Sequence, residues 1–285
     1  MTNLHDSLRG RIDIKMRGVL QRSLAQLMHK LKRDRFSVDD FIITQLPITV
    51  QNLDPVFNGY RIVHFTDLHM GHWVSPERLY GLIDLINQQQ PNLVVNTGDF
   101  VSYVIDDYRA MMIDAFCKIK APDGSLAVLG NHDHWMGAQT VREILTAGNV
   151  LDVSNDLFTI RRGEARLHIA GIDDAMVGAD RLDTVMAKLS EDSPALILAH
   201  EPDFADETAV TNRFFLQLSG HSHGTQILLP KLGPILRGTM FKKYPVGQYQ
   251  VGNMVQYTSH GVGTHSFRIR INCPPEIVVI TLSCA

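Results

Sequence analysis

The chain has 285 residues, enough to bury a large core as one α/β domain or as a domain with an appendage. Hydrophobic residues make up 45% and charged residues 20%, ordinary for a soluble globular protein, and a formal net charge of −3 gives no reason to expect nucleic acid as a partner. The charge is unevenly placed: through Phe36, nine Lys/Arg face three Asp, a net +6 that leaves about −9 on the rest of the chain.

In chain order, residues 8–35 read as a basic amphipathic helix. Met16, Leu20, Leu24, Leu27, Met28 and Leu31 fall at helical spacing among Arg17, Arg22, Lys30, Lys32 and Arg33. Residues 1–36 are therefore set apart from a domain over 37–285, and the helix is expected to lie on its own domain, on a partner or on an anionic membrane surface. After a β-rich stretch from Phe41 to Val50, strand and helix patterns alternate. Arg61–Phe65 reads as a buried strand. Ser75-Pro76-Glu77 opens a helix with Leu79, Leu82, Ile83 and Ile86 on one face, stopped by Pro91. Asn92–Val95 and Leu126–Leu129 follow as strands, with helices over Met111–Ile119 and Thr140–Ala147. Strands are then predicted near Leu157–Arg161, Ala165–Ala170, Ala195–Ala199, Phe215–Ser219, Gln226–Leu229, Val255–Ser259, Phe267–Ile271 and Ile277–Leu282, and a helix over Arg181–Leu189. Such alternation predicts an α/β fold, a sandwich of two mixed sheets flanked by helices.

Five short polar motifs close apolar runs in this pattern: Asp67-Leu68-His69, Gly98-Asp99, Gly130-Asn131-His132-Asp133, His200, and Gly220-His221-Ser222-His223-Gly224. Ligands of open α/β sheets bind outside the carboxyl ends of the strands, so the motifs are delivered to one edge. Carboxylate, imidazole and amide oxygen without thiolate suit Mn, Fe, Zn or Ni. A shared carboxylate can hold two divalent ions, which bind a phosphate on two oxygens and present a hydroxide for in-line attack.

These motifs, in this order, resemble the calcineurin-like metallophosphoesterase superfamily over roughly Gly59 to Leu282. The resemblance implies that Asp67, His69 and His223 hold one metal and that Asn131, His200 and His221 hold the other, with Asp99 bridging. It implies that His132 protonates the leaving oxygen and that Asp133 orients His132. The tail, with Gly261-Val262-Gly263-Thr264 and Pro274-Pro275-Glu276-Ile277, is similar to a branch of bacterial membrane-associated phosphodiesterases, near the hydrolases of UDP-diacylglucosamine in lipid A synthesis. His260 stands where that branch tends to carry Arg, and Thr225 replaces a common Gly. An amphipathic helix stands where many relatives have a transmembrane or export segment.

The expected function is hydrolysis of a lipid- or nucleotide-linked phosphodiester or pyrophosphate. A phosphomonoesterase of proteins or small metabolites and a non-catalytic scaffold are the alternatives. His72 and His134 are candidate substrate contacts, Trp73 and Trp135 candidate packing residues near the cleft, and His64 and His168 core residues; His260 and His265 flank a Gly-rich turn that can approach the site but are not counted among its residues. The basic stretch Lys231, Arg237, Lys242 and Lys243 is a second candidate for holding phosphate. Cys117, Cys273 and Cys284 form no C-x-x-C pair, no run of about 18 apolar residues appears, and no signal-peptide pattern opens the chain. A cytoplasmic protein is expected, with a peripheral position at the inner face of the membrane as the variant.

Overall fold

The computed structural model describes residues 8–32, 34–190, 193–231, 233–234, 238–265 and 269–285. Helix α1 (Leu8–Lys30) precedes β1 (Ile42–Val50), β2 (Arg61–Phe65), α2 (Pro76–Gln88), β3 (Leu93–Asn96), α3 (Arg109–Phe116), β4 (Ser125–Ala127), α4 (Asn131–Ala147) and β5 (Val150–Asp152). The second half runs β6 (Asp156–Arg162), β7 (Ala165–Gly171), α5 (Leu182–Lys188), β8 (Ala195–Leu198), α6 (Ala205–Ala209) and β9 (Phe214–Ser219). A small hairpin, β10 (Leu228–Leu229) and β11 (Gly233–Pro234), precedes β12 (Gly247–Val251), β13 (Met254–Thr258) and β14 (Glu276–Cys284).

Two six-stranded mixed sheets result, in the orders β1-β14-β2-β3-β4-β5 and β12-β13-β9-β8-β7-β6. Strands β2 to β5 are mutually parallel, as are β7, β8, β9 and β13. Side chains alternate across each strand. Ile62, Leu93, Val95 and Leu126 meet Ile169, Leu196, Leu198 and Leu216 between the sheets, while Val63, Phe65, Val94 and Ala127 face the layer of α2, α3 and α4. Helices α5 and α6 cover the outer face of the second sheet through Val185 and Ala205. Helix α2 starts as its sequence dictates: the Ser75 side chain accepts the Arg78 N–H and Pro76 occupies the first turn.

Four differences from the predicted elements matter. The Gly130–Asp133 motif that follows β4 is more than a strand-end loop; Asn131 opens α4, which runs on across a kink at Gly137 (φ 117°). The reason is a cap: Asp133, third in the helix, accepts the backbone N–H of Gly130 at 3.0 Å. Strands β5 and β12 were not predicted, because β5 is three residues long and β12 is a partly exposed polar edge strand, Gly-Gln-Tyr-Gln-Val. The strand expected at Gln226–Leu229 shrinks to Leu228–Leu229. That at Phe267–Ile271 falls partly outside the described residues, and Ile271 makes one isolated bridge, to Ile227.

Candidate metal centre

The parallel strands β2, β3, β4, β8 and β9 all end at the same edge of the sandwich, and the polar motifs leave them there. Backbone pairing continues past the strand ends: Asp67 N–H donates to the Gly98 carbonyl at 3.0 Å and His69 N–H to the Asp99 carbonyl at 2.9 Å. From the second sheet, Gly220 N–H reaches the His200 carbonyl at 3.0 Å. The turn after β13 crosses over the β2 loop, with Gly263 N–H on the Asp67 carbonyl at 2.8 Å. These bonds hold Asp67, His69, Asp99, His221 and His223 in the left-handed region, with φ between 42° and 66°. That conformation costs a non-glycine residue roughly 1 kcal/mol or more and persists only where the surroundings over-determine it.

The side chains converge. His69 Nε2 lies 3.0 Å from His223 Nε2 and 3.3 Å from Asp99 Oδ2, and His223 Nε2 lies 3.3 Å from Asp67 Oδ1. On the other side of Asp99, its Oδ2 is 3.4 Å from His200 Nε2, and His221 Nδ1 is 3.2 Å from His200 Nε2 and 3.0 Å from Asn131 Oδ1. All seven residues named from the motifs as metal ligands are thus brought together, in two sets that share Asp99. Where both facing imidazole nitrogens carry lone pairs, as on His200 and His221, whose other ring nitrogens donate to backbone carbonyls, a cation between them relieves the repulsion. With metal–ligand bonds of about 2.1 Å, two donors on one ion stand about 3.0 Å apart at right angles and about 3.4 Å apart at the tetrahedral angle, so the donor spacings fit divalent cations.

Neighbouring groups select which ring nitrogen faces inward. His200 Nδ1 donates to the Thr97 carbonyl at 2.6 Å and His221 Nε2 to the Thr239 carbonyl at 3.1 Å, which leaves a lone pair on the opposite nitrogen. His69 Nδ1 is held at 2.9 Å by Ser102 Oγ. The electrostatics also call for a cation. Burial opposes a charge on His200, yet Asp99, Asp67 and Glu201 hold its pKa well above the ordinary imidazole value. Burial alone would raise the Asp99 carboxyl, but the charged His200 beside it keeps it well below its usual range.

His132 stands beside this cluster rather than within its ring of close contacts. One of its ring nitrogens comes within 4.8 Å of donor atoms of His69 and Asp99. Its Nδ1 is buried without a hydrogen-bond partner. Its ring centroid lies 4.7 Å from that of Trp135 and 6.0 Å from that of Tyr103. Asp133 acts on His132 through the backbone and not through a bond to its ring. Its carboxylate accepts the backbone N–H groups of Asp99 (2.8 Å), Phe100 (2.9 Å), Val101 (3.3 Å) and Gly130 (3.0 Å). It fixes the Asp99 turn against the start of α4, and so places His132 through the backbone.

Other expectations resolve as follows. His134 turns to Asp173, at 2.6 Å, which Arg142 also holds, and it does not line the cavity over the cluster. His72 lines a separate cavity between α1 and the loop at 71–78. Trp73 packs under the Arg78 guanidinium, 3.7 Å from its ring centre, while Trp135 walls the cavity over the cluster. His64 and His168 are buried in the sheets, bonded to Thr97 and to Thr159 and Ser190. Lys243 pairs with Asp206, the backbone N–H of Lys242 donates to Asp203, and Arg237 lies outside the described residues.

His265, beside the Gly-rich turn, does approach the site: its ring lies 4.9 Å from that of His132 and 5.6 Å from that of His69. The signal was present: it follows a predicted strand that runs parallel to β9 and must end at the same edge. The sequence reading missed Arg270, whose partly buried guanidinium donates to the carbonyls of His260 (2.8 Å), Gly261 (3.1 Å) and Gly263 (3.0 Å), and so ties down the turn lying on Asp67.

Glycine is required where the strands crowd. A Cβ on Gly220 would stand 2.3 Å from Asp67 Oδ2 and 2.3 Å from Thr66 Oγ1. Gly220→Ala is expected to lower stability by about 1–3 kcal/mol, measured by denaturant unfolding, and to weaken metal retention by displacing Asp67. Unchanged stability and metal content would contradict this packing.

Two mixed sheets in a sandwich, with a buried Asp/His/Asn cluster at the strand ends, define a metal-dependent hydrolase. The calcineurin-like phosphoesterase model matches residues 60–225. A metallophosphoesterase of Bacillus subtilis, YkuE, is 36% identical over 230 residues, covering 79% of this chain and 80% of its own. Phosphodiesterase YaeI of Escherichia coli is 26% identical over 226 residues, covering 78% and 82%. A 5'-nucleotidase precursor from Thermus thermophilus superposes with a TM-score of 0.48 at 15% identity, covering 72% of this chain and 49%, about half, of that one. The chain belongs to the calcineurin-like phosphoesterase family and is a metal-dependent phosphoesterase.

Proposed function

We propose that the protein hydrolyses a phosphodiester or pyrophosphate bond in a substrate with a lipid or nucleotide portion, using two divalent ions. The observation that carries this reading is the pair of donor sets joined at Asp99 on the floor of a cavity of about 490 Å³. Asp67, His69, His223 and Asp99 would hold one ion, and Asp99, Asn131, His200 and His221 the other. Bound there, the ions would supply Lewis-acid polarisation of the phosphoryl oxygens and acidify a water molecule.

The chain's own residues do the rest. His132, at the cavity wall, contacts the phosphoryl group and gives a proton to the leaving oxygen. Trp135 and Phe241, with Ile227, Ile269 and Ile271 around the opening, form an apolar wall that suits a bulky leaving group and excludes water from one side of the phosphate. That wall supports a lipid or aromatic portion, and the diesterase named among the relatives supports a diester over a monoester.

The test is metal analysis of the purified protein followed by rates on bis-p-nitrophenyl phosphate, p-nitrophenyl phosphate and a lipid-linked pyrophosphate. We expect about two equivalents of divalent metal and faster turnover of diester or pyrophosphate than of monoester. Preferential cleavage of the monoester would replace this reading with that of a phosphomonoesterase.

A further inference from the structure

Helix α1 carries apolar residues on two opposite faces, and its own domain covers one of them. Gln21, only 3% exposed, marks the inner face: its amide donates to the Met70 carbonyl at 3.1 Å and accepts the Tyr103 N–H at 3.2 Å. Gly18 lets the helix approach, since a Cβ there would touch the Tyr103 carbonyl at 3.4 Å. The other face is bare. Met16, Val19, Leu20, Leu27 and Leu31 are 50–65% exposed, and residues 16, 20, 27 and 31 fall on a single stripe at helical spacing. Lys15 and Lys30 of α1 and Lys32 just beyond it are exposed, and by sequence Leu8–Lys30 holds six Lys/Arg against one Asp. No helix among the described residues is long and apolar enough to cross a membrane.

We propose that the outer face of α1 docks in the plane of an anionic phospholipid bilayer. Exposed apolar side chains gain by entering the headgroup boundary, and the lysines gain from the negative surface, each by a factor of about five in binding. An anionic bilayer is complementary to both features, the apolar stripe and the lysine charge. The docking is tied to the metal centre by the inner face. Met70 follows His69, Tyr103 follows the Ser102 that holds His69 Nδ1, and Arg17 of α1 donates to the Tyr103 hydroxyl at 3.1 Å. The Tyr103 ring in turn lies 6.0 Å from that of His132. The bilayer-bound helix therefore sits beside the loops that support the centre. The docking itself does not depend on the hydrolytic reading.

The experiment is sedimentation of the full chain with vesicles of phosphatidylcholine and phosphatidylglycerol (7:3 is suitable) against vesicles of phosphatidylcholine alone. Binding is expected to the anionic vesicles, and raised salt should weaken it. Leu20→Glu with Leu27→Glu should lower the partition coefficient roughly 100-fold. Lys15→Glu with Lys30→Glu should lower it by at least about 20-fold. Both pairs are exposed and outside the site, so turnover of soluble bis-p-nitrophenyl phosphate should stay unchanged. No binding to anionic vesicles, or binding that survives the leucine substitutions, overturns the proposal. So does a dimer in vesicle-free solution that the same leucine substitutions dissociate, since a second copy would then be the occupant of this face.

Discussion

Asp99→Asn is expected to strip the centre of metal and to lower turnover by at least about 10³-fold. Asp99 is the carboxylate common to both donor sets, with Oδ2 at 3.3 Å from His69 Nε2 and 3.4 Å from His200 Nε2. Its Oδ1 also accepts the His132 N–H at 2.9 Å. Asparagine keeps the volume and this acceptor, so the fold should survive, but the charge that faces both sets is gone. Charge stabilisation by metal is worth several kcal/mol in a transition state, and about 4 kcal/mol corresponds to a thousandfold in rate. Elemental analysis and kcat decide the matter together, with circular dichroism to confirm folding. Retention of a full metal complement by the variant would sink the bridging assignment.

His132→Ala should behave differently: kcat falls about 10²- to 10⁴-fold while metal content holds. The ring is buried, its Nδ1 has no hydrogen-bond partner, and it lines the cavity over the cluster without joining the closest donor contacts. Burial, with His69, His265 and His200 nearby, keeps its pKa well below the ordinary value against the pull of Asp99, so the ring is neutral before substrate arrives. An incoming phosphate anion favours its protonated form. A residue that protonates the leaving oxygen matters most when that oxygen is basic. The deficit should therefore shrink for p-nitrophenyl esters and grow for alkyl esters. An equal deficit across leaving groups, or loss of metal from the variant, would contradict the role given to His132.

The centre was legible because its ligands lie at strand ends, and strand ends can be read from one-dimensional patterns. Apolar runs such as Arg61–Phe65 and Ala195–Leu198 identify parallel strands, and parallel strands in a covered sheet must discharge their loops at one edge. Local pattern was also enough for α2, where a Ser cap, a first-turn proline and one apolar face agree. It failed where a residue's partner is backbone from another element. Asp133 looked like a companion for the neighbouring His132, but its oxygens are taken by four N–H groups, three of them from the Asp99 turn. His134, adjacent to the motif, turns away to Asp173, while His265, more than 40 residues beyond the last ligand, turns in.

From its residues alone, the chain determined the α/β class, the order of the polar motifs and the edge where they gather, because periodicity and residue chemistry are local properties. Only the tertiary structure decided which imidazole nitrogen faces inward, which ligands sit in left-handed backbone, and which face of α1 is left uncovered. Each of these depends on a carbonyl, an N–H group or a packing surface supplied by a distant segment, and no spacing along the chain records where that segment will lie.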